Sequence, residues 1–263
     1  MAGFAPAIAD LLAVLSGSLV GATLGLVGGG GSILAVPLLL YVVGVRDPHV
    51  AIGTSALAVS VNAFANLIAH SRAGTVKWPC AIVFGLSGVT GAFIGSMLGK
   101  LVDGEKLLFL FGLVMVAVAL AMLRPRQVAG DPDVHINPTI AVRLVGIGLL
   151  TGLLAGFFGI GGGFLIVPGI MLGSGMAMLN AIGSSLFSVG AFGLTTAVSY
   201  AYDGLVDWRI ALEFIAGGIT GGVAGLALAQ RVAAQKGLLN RIFAGLVLAV
   251  AAYVLWRSAG AVL

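Results

Sequence analysis

The stretch Gly28-Gly29-Gly30-Gly31-Ser32-Ile33-Leu34-Ala35-Val36-Pro37 places four consecutive glycines inside a strongly apolar part of the chain. The same pattern returns in the other half as Gly159-Ile160-Gly161-Gly162-Gly163-Phe164-Leu165-Ile166-Val167-Pro168. Four glycines cost a helix about 3–4 kcal/mol relative to alanine. When helices are interrupted at matching places in the two halves of a membrane chain, the interruptions are the best sequence pointer to a substrate site.

The composition of the whole chain indicates lipid as its solvent. Of the 263 residues, 60% are apolar and only 8% are charged, whereas a soluble domain carries about 25% charge. The mean hydropathy is +1.17. Because one crossing needs about 20 apolar residues, the length allows about eight to ten crossings. The sequence therefore predicts an all-α polytopic membrane protein. The net charge of +4 resides mostly in short loops, where it orients helices, so nucleic acid is not an expected partner.

Glycine, proline and charged residues divide each half into five apolar segments. Those of the first half are residues 11–27, 32–44, 51–69, 79–99 and 107–123. Those of the second half are residues 144–158, 164–173, 181–202, 210–229 and 238–256. We predict a first repeat at residues 1–123, a polar linker at 124–140 and a second repeat at 141–263.

Short motifs recur at matching places in the two halves. Ala51-Ile52-Gly53-Thr54-Ser55 corresponds to Ala181-Ile182-Gly183-Ser184-Ser185, and Gly74-Thr75-Val76-Lys77-Trp78 corresponds to Gly204-Leu205-Val206-Asp207-Trp208. Gly88, Gly91 and Gly95 likewise match Gly218, Gly221 and Gly225. Apolar bias alone would not align so many glycine, proline and tryptophan positions, so the sequence predicts two pseudo-symmetric repeats.

The second segment of each half is short, and this leaves two topologies open. Residues 32–44 would span about 20 Å as a helix, less than the hydrocarbon core of about 30 Å. If this segment crosses, each half has an odd number of crossings and the repeats are inverted. If it dips in and returns, the repeats are parallel. The excess of Lys and Arg on the inner side favours the inverted arrangement.

The glycine phrases suit an anion site. Glycine lets the backbone approach a ligand, and a helix N-terminus presents N–H donors and a positive dipole end. Proline inside each short helix frees a further carbonyl. The alternative is that the glycines only let helices touch. The candidate substrate-binding residues here are Gly28, Gly29, Gly30, Gly31, Ser32, Gly159, Gly161, Gly162 and Gly163, with helix-break prolines Pro37 and Pro168.

Further polar residues in the third segments complete the candidate site. Their hydroxyl and amide groups either face the same cavity, or cap helices and bond across them. We expect the hydroxyl-bearing motifs at the start of the third segments. The candidates are Gly53, Thr54, Ser55, Asn62, Asn66, Gly183, Ser184 and Ser185, with Thr195 and Thr196 further along the second half.

Several classes of function are not expected. No segment carries a charged residue at its centre, so a carboxylate proton relay has no clear candidate. The single cysteine and the three scattered histidines do not indicate a metal site, and no cofactor is expected. Motifs for ATP binding and for hydrolytic catalysis are absent, so the chain is not expected to be an enzyme.

These motifs resemble the TauE/SafE family of sulfite and sulfonate exporters, over the whole chain. The resemblance rests on the doubled glycine phrase ending in proline, on the Ala-Ile-Gly-Thr/Ser-Ser motif and on Gly-x-Val-x-Trp. It implies a carrier in the bacterial inner membrane for small sulfur-containing anions such as sulfite, sulfoacetate and related organosulfonates, with export as the direction. Backbone dipoles and hydroxyls fit a small oxyanion. Ile160 replaces Gly29 in the second copy, so the half-sites differ.

We therefore expect a secondary transporter that binds a small anion between its repeats and works by alternating access, with H⁺ or Na⁺ as a possible coupling ion. One alternative is a channel-like pore for the same anions. Another is a membrane assembly partner that transports nothing. The N-terminus lacks a basic region, so a cleaved signal peptide is not expected.

Overall fold

The computed structural model of the protein describes residues 6–123, 130, 131, 133–159, 163–232 and 238–258. Regular structure in these residues is helical, apart from one isolated parallel bridge between Asp131 and Met176. The elements are α1 (Pro6–Val27), a 3-10 helix (Gly28–Leu34), α2 (Ala35–Leu38), a π-helical turn (Leu39–Val43), α3 (Pro48–Arg72), α4 (Trp78–Lys100), α5 (Gly104–Leu123), α6 (Pro138–Phe158), α7 (Gly163–Ser174), α8 (Met178–Tyr202), α9 (Trp208–Val232) and α10 (Leu238–Ser258). The predicted all-helical class is confirmed.

The outer surface is that of a multi-pass membrane protein. Five stretches of the described residues are long and apolar enough to cross a membrane, namely Ile8–Val43, Pro48–Arg72, Trp78–Lys100, Pro138–Phe158 and Met178–Tyr202. Large apolar side chains face outward on the helices. Leu86, Val142 and Trp208, for example, are 63%, 73% and 61% exposed. Lipid tails, unlike water, can solvate such a surface.

Contacts between loops define two ends of the helix bundle. At the first, which we call the Asp10 end, Asp10 pairs with Arg209 at 2.6 Å and Gly104 lies against Pro48. At the second, the Lys77 end, Lys77 pairs with Asp133 at 3.7 Å. The 25 residues of α3 connect the ends, over about 37 Å of helix.

Helices of one half pack mainly on helices of the other. α1 packs on α9, and α6 packs on α4 in the same parallel sense. α3 packs on α8, and α5 packs on α10. Exchanging each helix for its counterpart in the other half leaves this set of pairs unchanged. Since α9 begins at the Asp10 end and α4 at the Lys77 end, α1 and α6 enter the bundle from opposite ends.

Glycines make the two parallel helix pairs possible. A Cβ atom on Gly217, Gly221 or Gly225 of α9 would overlap the backbone of α1. A Cβ atom on Gly91 or Gly95 of α4 would overlap the backbone of α6 in the same way. Small residues let helix backbones approach closely where the hydrophobic effect cannot drive association. The matched glycines found by sequence therefore lie at the two largest helix interfaces.

The structure corrects two expectations about local elements. The second segment begins already at Gly28 and changes from 3-10 to α to π geometry, rather than forming one short helix from Ser32. The Thr54 and Ser55 motif does not begin or cap its helix. α3 begins at Pro48 and is capped by the Asp47 side chain, which accepts hydrogen bonds from the amides of His49 and Val50. Asp47 is the better cap because its carboxylate lies directly before the helix.

The prediction that Gly183, Ser184 and Ser185 lie at the start of a helix is also wrong. α8 begins at Met178, and no side chain caps it. Gly183, Ser184 and Ser185 therefore lie in its second turn. The expected helix start at the hydroxyl motif is therefore wrong in both halves.

Candidate functional site

The two glycine phrases reverse the chain at matching residues. α1 ends at Val27, and Gly28 follows with φ +66°; α6 ends at Phe158, and Gly159 follows with φ +66°. This left-handed conformation is costly for residues with a Cβ atom. Each second segment then turns back along the helix before it. The Thr23 hydroxyl of α1 donates a hydrogen bond to the Gly31 carbonyl at 3.4 Å.

The reversed segments meet inside the bundle. A Cβ atom on Gly163 would overlap the carbonyl of Gly29, and one on Gly29 would lie within 3 Å of Gly163 and of the Val189 side chain. We call this the glycine contact. Gly28, Gly29, Gly30 and Gly31 are all buried. Ile160, Gly161 and Gly162 lie outside the described residues.

Each left-handed glycine packs on the Ala-Ile-Gly motif of the opposite half. A Cβ atom on Gly28 would lie 2.7 Å from the carbonyl oxygen of Ile182, and one on Gly159 would overlap the Ile52 side chain. Ile52 and Ile182 occupy the same position in the two matched sequence motifs. Glycine is thus required at both positions, by backbone conformation and by close approach.

Hydroxyl groups fill the hydrogen-bonding positions beside Gly29. The Gly29 amide donates to Ser185 Oγ at 3.1 Å, and Ser185 donates in turn to the Ile182 carbonyl at 2.7 Å. Ser32 donates to the Gly29 carbonyl at 2.9 Å. Ser55, the equivalent of Ser185, donates to the Ile52 carbonyl at 2.9 Å. All three hydroxyls are buried. Ser185, Ser32 and Gly29 therefore form one cluster at the glycine contact.

Thr54 and Ser184 make a different pair of contacts, which connect the halves. The Asp207 amide donates to Thr54 Oγ1 at 2.9 Å, and the Lys77 amide donates to Ser184 Oγ at 2.9 Å. We call these the two interhalf bonds. Asp207 and Lys77 are equivalent residues, each directly before a long helix. Thr54 therefore serves the Asp10 end and Ser184 the Lys77 end, rather than one shared cluster.

The glycine of each motif brings these partners together. A Cβ atom on Gly53 would overlap the Leu205 carbonyl, and one on Gly183 would lie 2.5 Å from the Thr75 hydroxyl. The loops that precede α9 and α4 thus lie directly on α3 and α8. Neither these loop contacts nor the interhalf bonds were anticipated from sequence, although the matched Gly-x-Val-x-Trp motifs were the signal for them.

Asn62 and Asn66 face α9 rather than the glycine contact. A Cβ atom on Gly218 would overlap the amide of Asn62, and one on Gly222 would lie 2.5 Å from that of Asn66. Asn66 Nδ2 donates to the Asn62 carbonyl at 2.9 Å. The Asn62 side chain is fully buried and neither its oxygen nor its nitrogen has a partner. A buried amide without partners is costly, so Asn62 requires a specific explanation.

The helix prolines and the two threonines complete the predicted set. Pro37 is buried within α2, and Pro168 lies inside α7. Thr195 donates to the Ala191 carbonyl of its own helix at 2.8 Å, whereas Thr196 Oγ1 is buried without a partner. Among the residues whose burial the structure describes, no Asp, Glu, Lys or Arg is buried. Neutral donors therefore line the described interior.

A cavity of about 840 Å³ lies at the Asp10 end, between the π-helical turn, α5 and α10. Its charged lining residues are Arg46, Glu105 and Arg257, and the Arg257 guanidinium lies over the Tyr41 ring at 5.1 Å. No predicted site residue lines this cavity. The cavity has a charged lining, whereas the glycine contact consists of uncharged residues.

Comparison with known proteins agrees with this architecture. The model of the sulfite exporter TauE/SafE family matches residues 13–254. The chain belongs to the TauE/SafE family. A "Probable membrane transporter protein" of Xylella fastidiosa is 57% identical over 94% of this chain and 95% of its own length. A "Probable membrane transporter protein" of Bacillus subtilis is 29% identical over 84% and 89%, respectively. No solved structure matches the chain.

Membership of the TauE/SafE family makes this chain a membrane transporter, with a small molecule and the lipid bilayer as its partners. The doubled glycine phrase, which first suggested the family, lies entirely within the matched residues. In this TauE/SafE protein Gly29 of the first copy and Gly163 of the second form a buried contact between the two halves.

Proposed function

We propose that this TauE/SafE protein is a secondary transporter that exports small sulfur-containing anions, such as sulfite, sulfoacetate or related organosulfonates. The glycine contact carries the proposal, because two chain reversals meet there in a buried, uncharged interior. The name of the matching family, sulfite exporter, supports the substrate class.

The proposed mechanism is alternating access between two inverted repeats. The parallel packing of α1 on α9 and of α6 on α4 supports inversion, since equivalent helices enter from opposite ends. The interhalf bonds close the two ends by equivalent contacts, at Thr54 and at Ser184. In our mechanism, one end opens while the other stays closed, and the anion is carried at the contact between them.

The proposed ligands are backbone amides of Gly28–Gly31, their counterparts from Gly159 to Gly163 and the nearby hydroxyls. In the closed state described here, the Gly29 amide is bonded to Ser185. An arriving oxyanion would accept the hydrogen bond of this amide in place of the hydroxyl, and the Ser185 hydroxyl would turn toward the anion. Separation of Gly29 from Gly163 would create the space. In this proposal Ser55, whose acceptor residue Ile52 packs on Gly159, lies beside the anion, and Asn62 and Asn66 form the wall on the side of α9.

Neutral donors suit transport better than a buried arginine. Charge-assisted hydrogen bonds are roughly twice as strong as neutral ones, and a carrier has to release its substrate in every cycle. The charged groups of the cavity at the Asp10 end, Arg46 and Arg257, lie away from the glycine contact. They would attract anions toward the protein without holding them in the interior.

The close packing at the glycine contact favours a carrier over a channel-like pore. Gly29 and Gly163 approach too closely for a Cβ atom, so no continuous water path passes between them in this state. A pore would need such a path. An assembly partner without transport activity would need no paired closures at the two ends.

Flux of labelled anions into proteoliposomes tests the proposal. Sulfite and a panel of sulfonates are compared, with and without pH and Na⁺ gradients, and counterflow separates a carrier from a pore. We expect saturable sulfite or sulfonate flux with counterflow. Gly29→Val should abolish it, while Gly146→Ala, at an exposed glycine of α6 with open space around it, should not. Absence of flux for every sulfur oxyanion would reject the proposed substrate.

A further inference from the structure

One buried histidine, His70, is not part of the proposed anion site. His70 lies in the last turn of α3 and is fully buried. Its Nε2 is 3.2 Å from the carbonyl oxygen of Gly25 in α1, and its Nδ1 is 2.9 Å from the Thr75 hydroxyl. Histidine is the side chain whose ordinary pKa lies near neutrality. Sequence reasoning placed it at a loop edge and gave it no function.

The Thr75 hydroxyl can serve His70 in two protonation states. It also lies 3.0 Å from the His70 carbonyl oxygen. When the imidazole is neutral, Nε2–H donates to Gly25 and the Thr75 hydroxyl donates to Nδ1. When a proton from water binds Nδ1, that N–H donates to Thr75 Oγ1 and the hydroxyl turns to the His70 carbonyl. Both states give each ring nitrogen a partner, whereas the bond from the Thr75 hydroxyl to the His70 carbonyl forms only in the protonated state.

The same loop holds the Lys77 end closed. Thr75 is two residues before Lys77, whose amide donates to Ser184. The Thr75 hydroxyl also lies 2.5 Å from the position that a Cβ atom of Gly183 would take, and Gly183 directly precedes Ser184. A change at His70 therefore reaches the interhalf bond through a single five-residue loop.

We propose that His70 is a proton-binding residue that controls the opening of the Lys77 end. The proposal rests on the alternating opening of the two ends described above. A protonated ring in the closed state is a buried charge, and its hydrogen-bond partners among the described residues are the neutral Gly25 carbonyl and Thr75 hydroxyl. Because a buried charge without a counter-charge is costly, protonation favours the state in which water reaches the ring. Acid therefore opens this end.

Among the described residues, no charged neighbour offsets the cost of protonating His70 in the closed state. The two groups in hydrogen-bond contact with the His70 ring, the Gly25 carbonyl and the Thr75 hydroxyl, carry no charge. The nearest ionisable groups along the chain are Arg72, which is exposed, and Lys77, which pairs with Asp133. Three helices pack on this end of α3, and the neighbouring parts of them contain no ionisable side chain. These parts are Leu11–Val27 of α1, Met178–Ser199 of α8 and Phe214–Leu228 of α9. On α4, Cys80 is buried.

The interhalf bond at the Asp10 end, between Asp207 and Thr54, has no histidine at the matching position and can be compared with the bond at the Lys77 end. Tyr200 occupies the position equivalent to His70, and Leu205 occupies that of Thr75. The Tyr200 hydroxyl is buried without a partner. Tyrosine stays neutral between pH 5.5 and 8. His49 lies near this ring, with centroids 6.2 Å apart, so H49Q is the matched control for H70Q.

Hydrogen exchange of the purified full chain in lipid nanodiscs tests the proposal. Exchange of residues 73–77 and 203–207 is measured by mass spectrometry at pH 5.5 and pH 8, after correction for the intrinsic pH dependence of amide exchange. We expect residues 73–77 to lose protection about tenfold at pH 5.5, which corresponds to a tenfold difference in proton affinity between open and closed states. This pH effect should be retained in H49Q and lost in H70Q.

Three results would overturn the proposal: an unchanged pH effect in H70Q, its loss in H49Q, or an equal pH effect on residues 203–207 in the H49Q protein. H70N replaces H70Q if that variant does not fold. The readout needs no substrate. Its failure is therefore distinct from a failure of anion flux, which would reject the proposed function instead.

Discussion

The Ser184 hydroxyl in α8 accepts a hydrogen bond of 2.9 Å from the amide of Lys77, a residue 107 positions earlier in the chain. The bond connects the second half to the loop that precedes α4 in the first half. In an apolar solvent an amide at a helix start needs an acceptor inside the protein. A serine that sequence reasoning assigned to the substrate therefore satisfies the backbone at one end of the bundle.

Removing either interhalf hydroxyl should destabilise the protein. Ser184→Ala and Thr54→Val each leave an amide without its acceptor, at a cost of about 1–3 kcal/mol. Thermal unfolding in detergent measures the loss, and hydrogen exchange should rise at residues 73–77 for Ser184→Ala and at residues 203–207 for Thr54→Val. Ser55→Ala is the control, because Ser55 bonds within its own helix. If each variant raised hydrogen exchange equally at residues 73–77 and at residues 203–207, the two ends would not be closed by separate bonds.

Alanine at the glycine contact should prevent close packing of the two halves. In Gly163→Ala the new methyl group would overlap the Gly29 carbonyl, and we expect a lower unfolding temperature together with loss of flux. Gly146→Ala is the control, since its surroundings are open and alanine favours a helix by up to about 1 kcal/mol. A stable, active Gly163→Ala protein would show that the contact is not required.

Asn62→Leu should make the protein more stable and less active. It removes an amide that is fully buried without partners, which should raise stability by about 1–3 kcal/mol, whereas the proposed wall loses its polar group. Thermal unfolding and anion flux are measured together. Ser188→Ala, which also removes a buried unpartnered hydroxyl, should keep its flux. Full activity of Asn62→Leu would exclude Asn62 from the site.

Ser185→Ala should increase the stabilisation of the protein by its substrate. Without the Ser185 hydroxyl, the Gly29 amide has lost its acceptor, and a bound anion would supply one. We expect lower stability without ligand and a larger rise in unfolding temperature with sulfite than in the unchanged protein, as linkage requires. An equal or smaller rise would argue against the Gly29 amide as a ligand.

The helices were largely predictable because they depend on local sequence. Their apolar segments, the glycine phrases and the matched motifs can be read from composition and spacing. The beginning of α3 was missed because the first turn, from Pro48 with Asp47 as cap, is polar. The mixed geometry of residues 28–43 was missed because apolar length does not distinguish 3-10, α and π turns.

The candidate site was only partly predictable. The glycine phrases do come together, as far as the described residues extend. The hydroxyls separate into Ser32 and Ser185 at the glycine contact, and Thr54 and Ser184 at opposite ends. A serine or threonine that binds an anion and one that accepts a hydrogen bond from a distant amide look the same in the sequence. The spacing of the motifs therefore could not distinguish the two roles. His70 was passed over because its partner Gly25 lies 45 residues away in the sequence.

The sequence by itself determined the membrane class, the helical fold and the pairing of motifs between the halves, because these follow from hydropathy, from glycine content and from repetition along the chain. Only the tertiary structure decided which backbone amide each hydroxyl serves, that Gly29 meets Gly163, and that His70 lies beside the closure at Ser184. The reason is that these contacts join residues of different segments, and their energies depend on the distance and direction of partners that lie far away along the chain.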